Sequence, residues 1–583
     1  MSTQLAADTI LAADFGTAST RVSLFDVVEG VYRFIGHGEA PSTVGPPYQE
    51  ASEGMRHALL ELQAITGRAM LDDNARLVMP ATADGRGVDT FVATASAGPA
   101  VRAVLLGLLP DVTLESARST AATSYISVMD TFSLGDRRRE DKQIDAVLAA
   151  RPELIVIAGG TDGGASEALL KLVETVSLAC HLLPPETKLK VLYVGNAALK
   201  DRIGELMGRV ASVHSAPNVQ PELGVEVLDP ARAELGRIFE ELRLEQIGGF
   251  LQLAQWAGGH ILPTVQAEGH LLRFLSRLPE WPRGVLGVNV GSASTSMGAA
   301  FGGELFLSVR PDLGVGHHAA AVLADTPLNQ MTRWIPFEVS DEAMRDFILN
   351  KSLYPHTVPT DVNDLYFEHA LARQTIRSAL RRARAEWPES APRPRGDLLP
   401  WFSLILGSGA VVGRVPRPGL AALILLDALQ PSGITRLVLD PFHLAAALGA
   451  IAHINPLAVA QIYSSLAFLE LGAAVSAVGW GRVGELACQA KLVTELGAES
   501  EVEVPFGSLE VIPLPLGQSG KLTLRPRAGF NLGYGQGRGR TIQIKGGAVG
   551  VIIDARGRPV AFPKAPDKRY ETVQQWIWKV GGA

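Results

Sequence analysis

Residues 14–20 read DFGTAST, and residues 289–295 read NVGSAST. Each stretch closes a short apolar run and leads into a second strand-like segment. A tight turn between two strands can aim successive backbone N–H groups outward, where they meet phosphate oxygens. Gly16 and Gly291 permit the turn, and Thr17, Ser19, Thr20, Ser292, Ser294 and Thr295 add hydroxyl donors. Asp14 is expected to hold a hydrated magnesium ion, which keeps several waters and takes one or two carboxylates. Asp14 is also the first candidate for catalytic work. Asn289, at the matching place, hydrogen-bonds without bringing charge. Two such turns in one chain point to two similar half-domains that face each other across a phosphate.

A third element fits the pair. Residues 404–410 read LILGSGA, a buried-strand pattern ending in a glycine turn. Gly407, Ser408 and Gly409 would let the backbone approach a flat adenosine, so ATP or ADP is the expected ligand. In this order the elements resemble the two phosphate motifs and the adenosine motif of the actin/hexokinase/Hsp70 ATPase superfamily.

The organisation around them is α/β. Strand-like runs at Thr9–Ala13, Thr20–Asp26 and Val31–His37 precede a helical pattern over Tyr48–Met70. A strand at Thr90–Thr94, a helix through Val101, Leu105 and Leu108, and apolar runs at Leu154–Ala158 and Leu189–Val194 follow. Strands alternating with helices indicate mostly buried sheets. Beyond about Leu496 short alternating segments between glycine turns predict strands. The expected fold is a two-lobed actin-like ATPase with duplicated RNase H-like lobes and a small β-rich C-terminal domain. Its expected parts are residues 1–284, an N-terminal lobe with an insertion; residues 285–496, a C-terminal lobe; and residues 497–583, an independently folding β domain.

Composition narrows the function classes. The 583 residues are 47% hydrophobic and 19% charged, enough for a large core. The net charge of −7 argues against nucleic acid as the main ligand. Two cysteines, Cys180 and Cys488, exclude a disulfide framework and multi-cysteine metal sites, and both read as inert core residues. The start, MSTQLAADTILAADFG, lacks a basic segment followed by a long apolar one, so no signal peptide and a cytoplasmic location are expected. No membrane span is expected either. His317-His318 reads as structural rather than metal-binding. Arg373, Arg377, Arg381 and Arg384 fall at helical spacing and read as a solvated basic face.

A narrower resemblance rests on short motifs in a fixed order. They are TASAGP (94–99), DVTLESARSTAA (111–122), IAGGTDGG (157–164), VGN (194–196), PNVQPE (217–222), PTVQ (263–266) and DLG (312–314). Together they resemble the glutamate mutase L family from residue 8 to about 475. That family is named for genes beside adenosylcobalamin-dependent mutases. The resemblance implies an ATP-dependent accessory or reactivating protein whose partner is such a mutase. The sequence departs from the family at its second phosphate motif, which resembles Asp-x-Gly-Gly-Ala-Thr-Thr-Asp. Asn289 and Ser296 stand where the family shows acids. Nucleotide binding is expected to survive, with slow or absent hydrolysis, and Asn289→Asp, with or without Ser296→Asp, is expected to raise turnover. Asp162 in the GGTDGG turn is the candidate replacement catalytic carboxylate. The rival reading is a non-catalytic actin-like scaffold, polymerising or attached to a cell-envelope machine, that keeps nucleotide as a structural ligand.

Overall fold

The computed structural model describes residues 9–184, 187–395, 397–465 and 467–582. Residues 1–8, the first half of the segment read for a leader, lie outside the described residues, as does Gly396. No described helix is long and apolar enough to cross a membrane.

Two sheets repeat one strand plan. In the first, Ile10–Phe15, Ser19–Val28 and Val31–Pro41 form an antiparallel meander. Thr90–Ala95 and then Leu262–Pro263 add parallel on the other side of Ile10–Phe15. In the second, Val285–Val290, Thr295–Phe301 and Glu304–Arg310 form the meander, and Leu404–Ser408 and Gly433–Leu439 add parallel. Three antiparallel strands followed by two parallel ones, twice, make the duplicated RNase H-like lobes of the actin-like ATPase fold. The turns correspond atom for atom in register: Phe15 pairs with Thr20, and Val290 with Thr295.

Between Thr90–Ala95 and Leu262–Pro263 the chain builds a separate parallel sheet. Its order is Ile126–Phe132, Val101–Leu106, Leu154–Ile157, Lys190–Tyr193, Ser212–Ser215. Val101–Leu106 is therefore a strand, where the spacing of Val101, Leu105 and Leu108 predicts a helix. The run VRAVLL is buried at every position but Arg102. A strand covered on both faces shows a continuous apolar run that helical spacing also satisfies.

The expected independent domain at residues 497–583 is corrected. Gly550–Asp554 pairs with Leu469–Ser476, and Leu509–Ile512 pairs with Gly550–Asp554, which extends the second lobe's sheet to eight strands. Phe530–Asn531 pairs with Val478–Gly479, and the other strands form a four-stranded sheet that begins before residue 497, because Leu486–Thr494 pairs with both Glu499–Pro505 and Ser519–Pro526. The chain then ends on a helix, Pro566–Lys579, packed on the lobe.

A buried charge cluster fastens this segment. Arg556 bonds Asp427 at 2.7 Å and Asp554 at 2.9 Å, Arg558 bonds Asp554 at 3.0 Å, and Arg373 bonds Asp427 at 2.7 Å. Burial alone would raise the Asp554 carboxyl, yet Arg556 and Arg558 hold it well below the usual carboxylate range. Arg373 is thus interior rather than part of a solvated face. Arg381 does stay exposed, paired with Asp325. Removing one member leaves its partners buried and uncompensated, a loss of about 3–5 kcal/mol. Arg556→Ala is expected to lower the unfolding free energy by that amount, and with it the denaturation midpoint, in one transition shared by the lobe and residues 497–583. A separate, unshifted transition for the lobe would show that the two are not one unit.

Candidate functional site

The two glycine turns face each other across a cleft of about 730 Å³. Each closes the same way: Gly16 N donates to Ser19 O at 3.0 Å, and Gly291 N to Ser294 O at 2.9 Å. A Cβ at either glycine would lie 2.9 Å from that same carbonyl, so a side chain would force the turn open. Among the described residues, the N–H groups of Thr17, Ala18, Ser292 and Ala293 donate to no protein acceptor. Paired turns with unspent donors suit phosphate oxygens.

The structure sorts the expected site residues. Asp14, Gly16, Thr17, Ser19, Asn289, Gly291, Ser292, Ser294 and Gly409 line the cleft. Thr20 and Thr295 do not; both are fully buried behind their turns, and Thr295 Oγ1 donates to Leu313 O at 2.9 Å. Gly407 and Ser408 sit within the strand one step behind Gly409, and Ser408 Oγ meets His443 Nδ1 at 3.3 Å. Asp162 is not brought to the cleft. Its Oδ1 accepts from Ala197 N and Asn218 Nδ2, both at 2.9 Å, at the carboxyl end of the insertion's sheet. There the GGTDGG, VGN and PNVQPE motifs tie one another together. A turn aspartate satisfying nearby backbone explains it.

Asp14 is braced from two family motifs. Thr94 and Thr264 donate to its Oδ1 at 2.7 and 2.8 Å, and Arg21 lies 3.7 Å from Oδ2. Arg21 also pairs with Glu39, which Arg414 reaches from the opposite lobe. His317 Nδ1 meets Ser292 Oγ at 2.8 Å, and His318 Nδ1 meets Ala293 O and Pro311 O, so this pair shapes the second turn. Among the described residues no three His, Cys, Asp or Glu side chains are grouped to hold a metal by themselves. One braced carboxylate beside two phosphate turns fits magnesium, which takes its other ligands from water and phosphate. Cys180 and Cys488 are buried, and burial pushes their thiols up to about 12 and about 11.

Sequence reading missed Glu268. It projects from the helix Thr264–Leu275 to the cleft floor, five residues into PTVQAE. Asn289 Nδ2 donates to its Oε1 at 2.5 Å, and Ser296 Oγ to its Oε2 at 3.1 Å. The two positions that lack the family's acids therefore hold one carboxylate between them. The only signal in the sequence is an acid on an otherwise apolar stripe of that helix. Burial, with Asp14 and Asp440 adding repulsion against the two hydrogen bonds, pushes the Glu268 carboxyl up to about 8. Burial raises the neighbouring Asp440 to about 6, opposed by N–H donors from Leu444 and Ala445.

A carboxyl that ionises ordinarily near 4.5 in the unfolded chain and near 8 in the folded one binds more protons when folded. Its contribution to stability is complete below about pH 4.5 and is lost as pH rises through about 8. Glu268→Gln removes that loss. Without nucleotide, the melting temperature of Glu268→Gln relative to the wild type is expected to climb between pH 5 and pH 8.5. A difference constant over that range would show that Glu268 ionises as in water.

Comparisons with known proteins agree with this frame. A family model described as MutL protein matches residues 10–466. Protein MutL of Clostridium tetanomorphum is 23% identical over 356 residues, 56% of this chain and 74% of that protein. Among solved structures, nucleotide-free acetone carboxylase matches with a TM-score of 0.30 and 11% identity, over 86% of this chain and 81% of that one. Diol dehydratase-reactivating factor, also nucleotide-free, matches with a TM-score of 0.31 and 12% identity, over 77% of this chain and 100% of that one. At such scores these structural likenesses carry no argument; the strand plan carries the fold. The family match spans both phosphate turns, the insertion and the Gly409 strand end, and the chain belongs to the MutL protein family.

Proposed function

We propose that the protein binds ATP and ADP with magnesium between its lobes and acts as an accessory, reactivating or chaperone-like protein of an adenosylcobalamin-dependent mutase. The observation that carries the nucleotide is the pair of matched turns with unspent N–H donors on opposite walls of one cleft. The mutase rests on family membership and on the resemblance to the glutamate mutase L family.

Each residue has a task in this reading. The turn at Gly16–Ser19 and the turn at Gly291–Ser294 take the phosphates. Asp14, held by Thr94 and Thr264, would hold the magnesium ion, which would neutralise charge on the phosphates. Gly409 and Val411 line the side where the adenosine lies. Arg414 and Glu39 pair across the cleft mouth, so the lobes meet at the rim as well as the floor. ATP and ADP, with different affinities for the closed and open forms, then bias a hinge, and a hinge can gate a partner so that damaged cofactor leaves.

A ligand that binds only the folded state stabilises it by about 2.7 kcal/mol at a hundredfold excess over Kd. Millimolar MgATP and MgADP are expected to raise the melting temperature saturably, with calorimetric heats, and Asp14→Ala is expected to abolish the magnesium dependence. No heat and no shift would refute nucleotide binding. Co-purification from the native cell is expected to recover an adenosylcobalamin mutase whose release depends on ATP. Nucleotide-dependent sedimentation of polymers without a mutase would favour the scaffold reading instead.

A further inference from the structure

Five acids line the cleft: Asp14, Glu39, Glu268, Asp361 and Glu368. Four are committed elsewhere. Asp14 takes two threonine hydrogen bonds and faces Arg21. Glu39 is clamped by Arg21 and Arg414, and Glu368 by Lys351 at 2.6 Å. Asp361 caps the helix Val362–Ala383 through Asp364 N. Asp361 is exposed, and among the other four Glu268 is the one whose described partners are all neutral: Asn289 on one oxygen and Ser296 on the other. A carboxylate has about four acceptor sites, and these two donors use two of them. A general base must be oriented and must have room for a proton, and a guanidinium on the carboxylate removes both its basicity and its access.

We propose that Glu268 is the base of ATP hydrolysis in this protein, replacing the acids absent at positions 289 and 296, and that Asn289 and Ser296 are its positioning residues. The proposal rests on the nucleotide reading above. In the step, the water oxygen bonds to the γ-phosphorus while the bond from that phosphorus to the β,γ-bridging oxygen breaks. The electron pair of the broken bond leaves with ADP, and the water proton passes to a free acceptor site of Glu268. The proton then returns to solvent through the open cleft. Asn289 points its amide N–H at Oε1 and Ser296 its hydroxyl at Oε2, which fixes the plane of the carboxylate. This reverses the expectation for Asn289→Asp. An aspartate there has no N–H to donate, and the two carboxyls cannot both ionise, so they share a proton and Glu268 loses its free acceptor sites as a base.

The test measures phosphate release and, separately, ATP affinity by calorimetry on the full chain. The wild type is expected to release phosphate. Glu268→Gln is expected to bind ATP within about threefold of the wild type and to lose at least about a hundredfold in turnover, the usual span for a lost general base. Glu268→Ala is expected to regain turnover on addition of formate, a small carboxylate able to enter the vacated space, which a purely structural role would not allow. Asn289→Asp is expected to lower kcat at least about tenfold with KM for ATP unchanged, because the base is misaligned and the phosphate turns are intact. Melting temperatures confirm folding, and Asn289→Asp decides the matter if Glu268 variants do not fold. A Glu268→Gln variant as fast as the wild type, or a wild type that binds ATP and releases no phosphate, would overturn the assignment while leaving nucleotide binding standing. Absence of ATP binding would overturn the nucleotide reading itself.

Discussion

One helix turn measures the cleft. Thr264, the first residue of the helix Thr264–Leu275, donates to Asp14 of the first lobe, and Glu268 accepts from Asn289 and Ser296 of the second. The two residues are four apart, so they share a face and lie about 6 Å apart along the axis. That rise sets the spacing between the acid of the first phosphate turn and the strands that carry the second. The helix also crosses Leu444–Ile451 at Gly449, where a Cβ would lie 1.6 Å from Ala267 O. Only glycine permits that approach, and it places Glu268 on the floor rather than at one wall.

The floor and the rim are joined by different contacts. Arg414 and Glu39 join the lobes at the mouth, but the Arg414 side chain is 48% exposed. Such pairs are worth about 0–1 kcal/mol, because water competes for both charges. The floor contacts are part-buried side-chain hydrogen bonds that tie one helix to both lobes, and separating them would leave a carboxyl and an amide without their partners. In the proposed function, opening would break the rim first and pivot about the helix that carries Thr264 and Glu268. The insertion is attached on this same side. Its sheet is inserted in the chain between the first lobe's Thr90–Ala95 and Leu262–Pro263 strands, and the chain returns from it through the helices Asp229–Gln246 and Phe250–Trp256 before it reaches the helix Thr264–Leu275.

What the sequence made legible was local. Each phosphate turn is seven consecutive residues, and its glycine, hydroxyls and flanking strands can be read without knowing what lies opposite. The repeat then supplied the facing geometry. What stayed hidden depends on pairing across long separations. Gly472 pairs with Gly550, so the strands that enlarge the second lobe's sheet look, in sequence, like a detached β segment. Asp427 meets Arg556 from 129 residues away, which turned a basic stripe on paper into a buried network around Arg373. Asp162 sat in a glycine-rich turn of the right composition, and only its partners Ala197 and Asn218 show that its charge serves the insertion.

Glu268 exposes why counting acids along a motif misjudges this site. A motif records which positions on one strand pair carry charge, while chemistry depends on how many charges share a volume. The cleft floor already holds Asp14 and Glu268, with Asp440 buried nearby and the Tyr125 phenol pushed up by burial and by both Glu268 and Asp14. Additional carboxylates at positions 289 and 296 would face Glu268 directly. Like charges at that distance cannot all ionise, so each added acid would raise the others and bind a proton of its own. Neutral donors at both positions do the reverse: they favour the charged form of Glu268 and oppose the effect of burial. The asparagine, the serine and the glutamate are therefore one arrangement, in which a single carboxylate from the pivot helix takes the space of two from the strands.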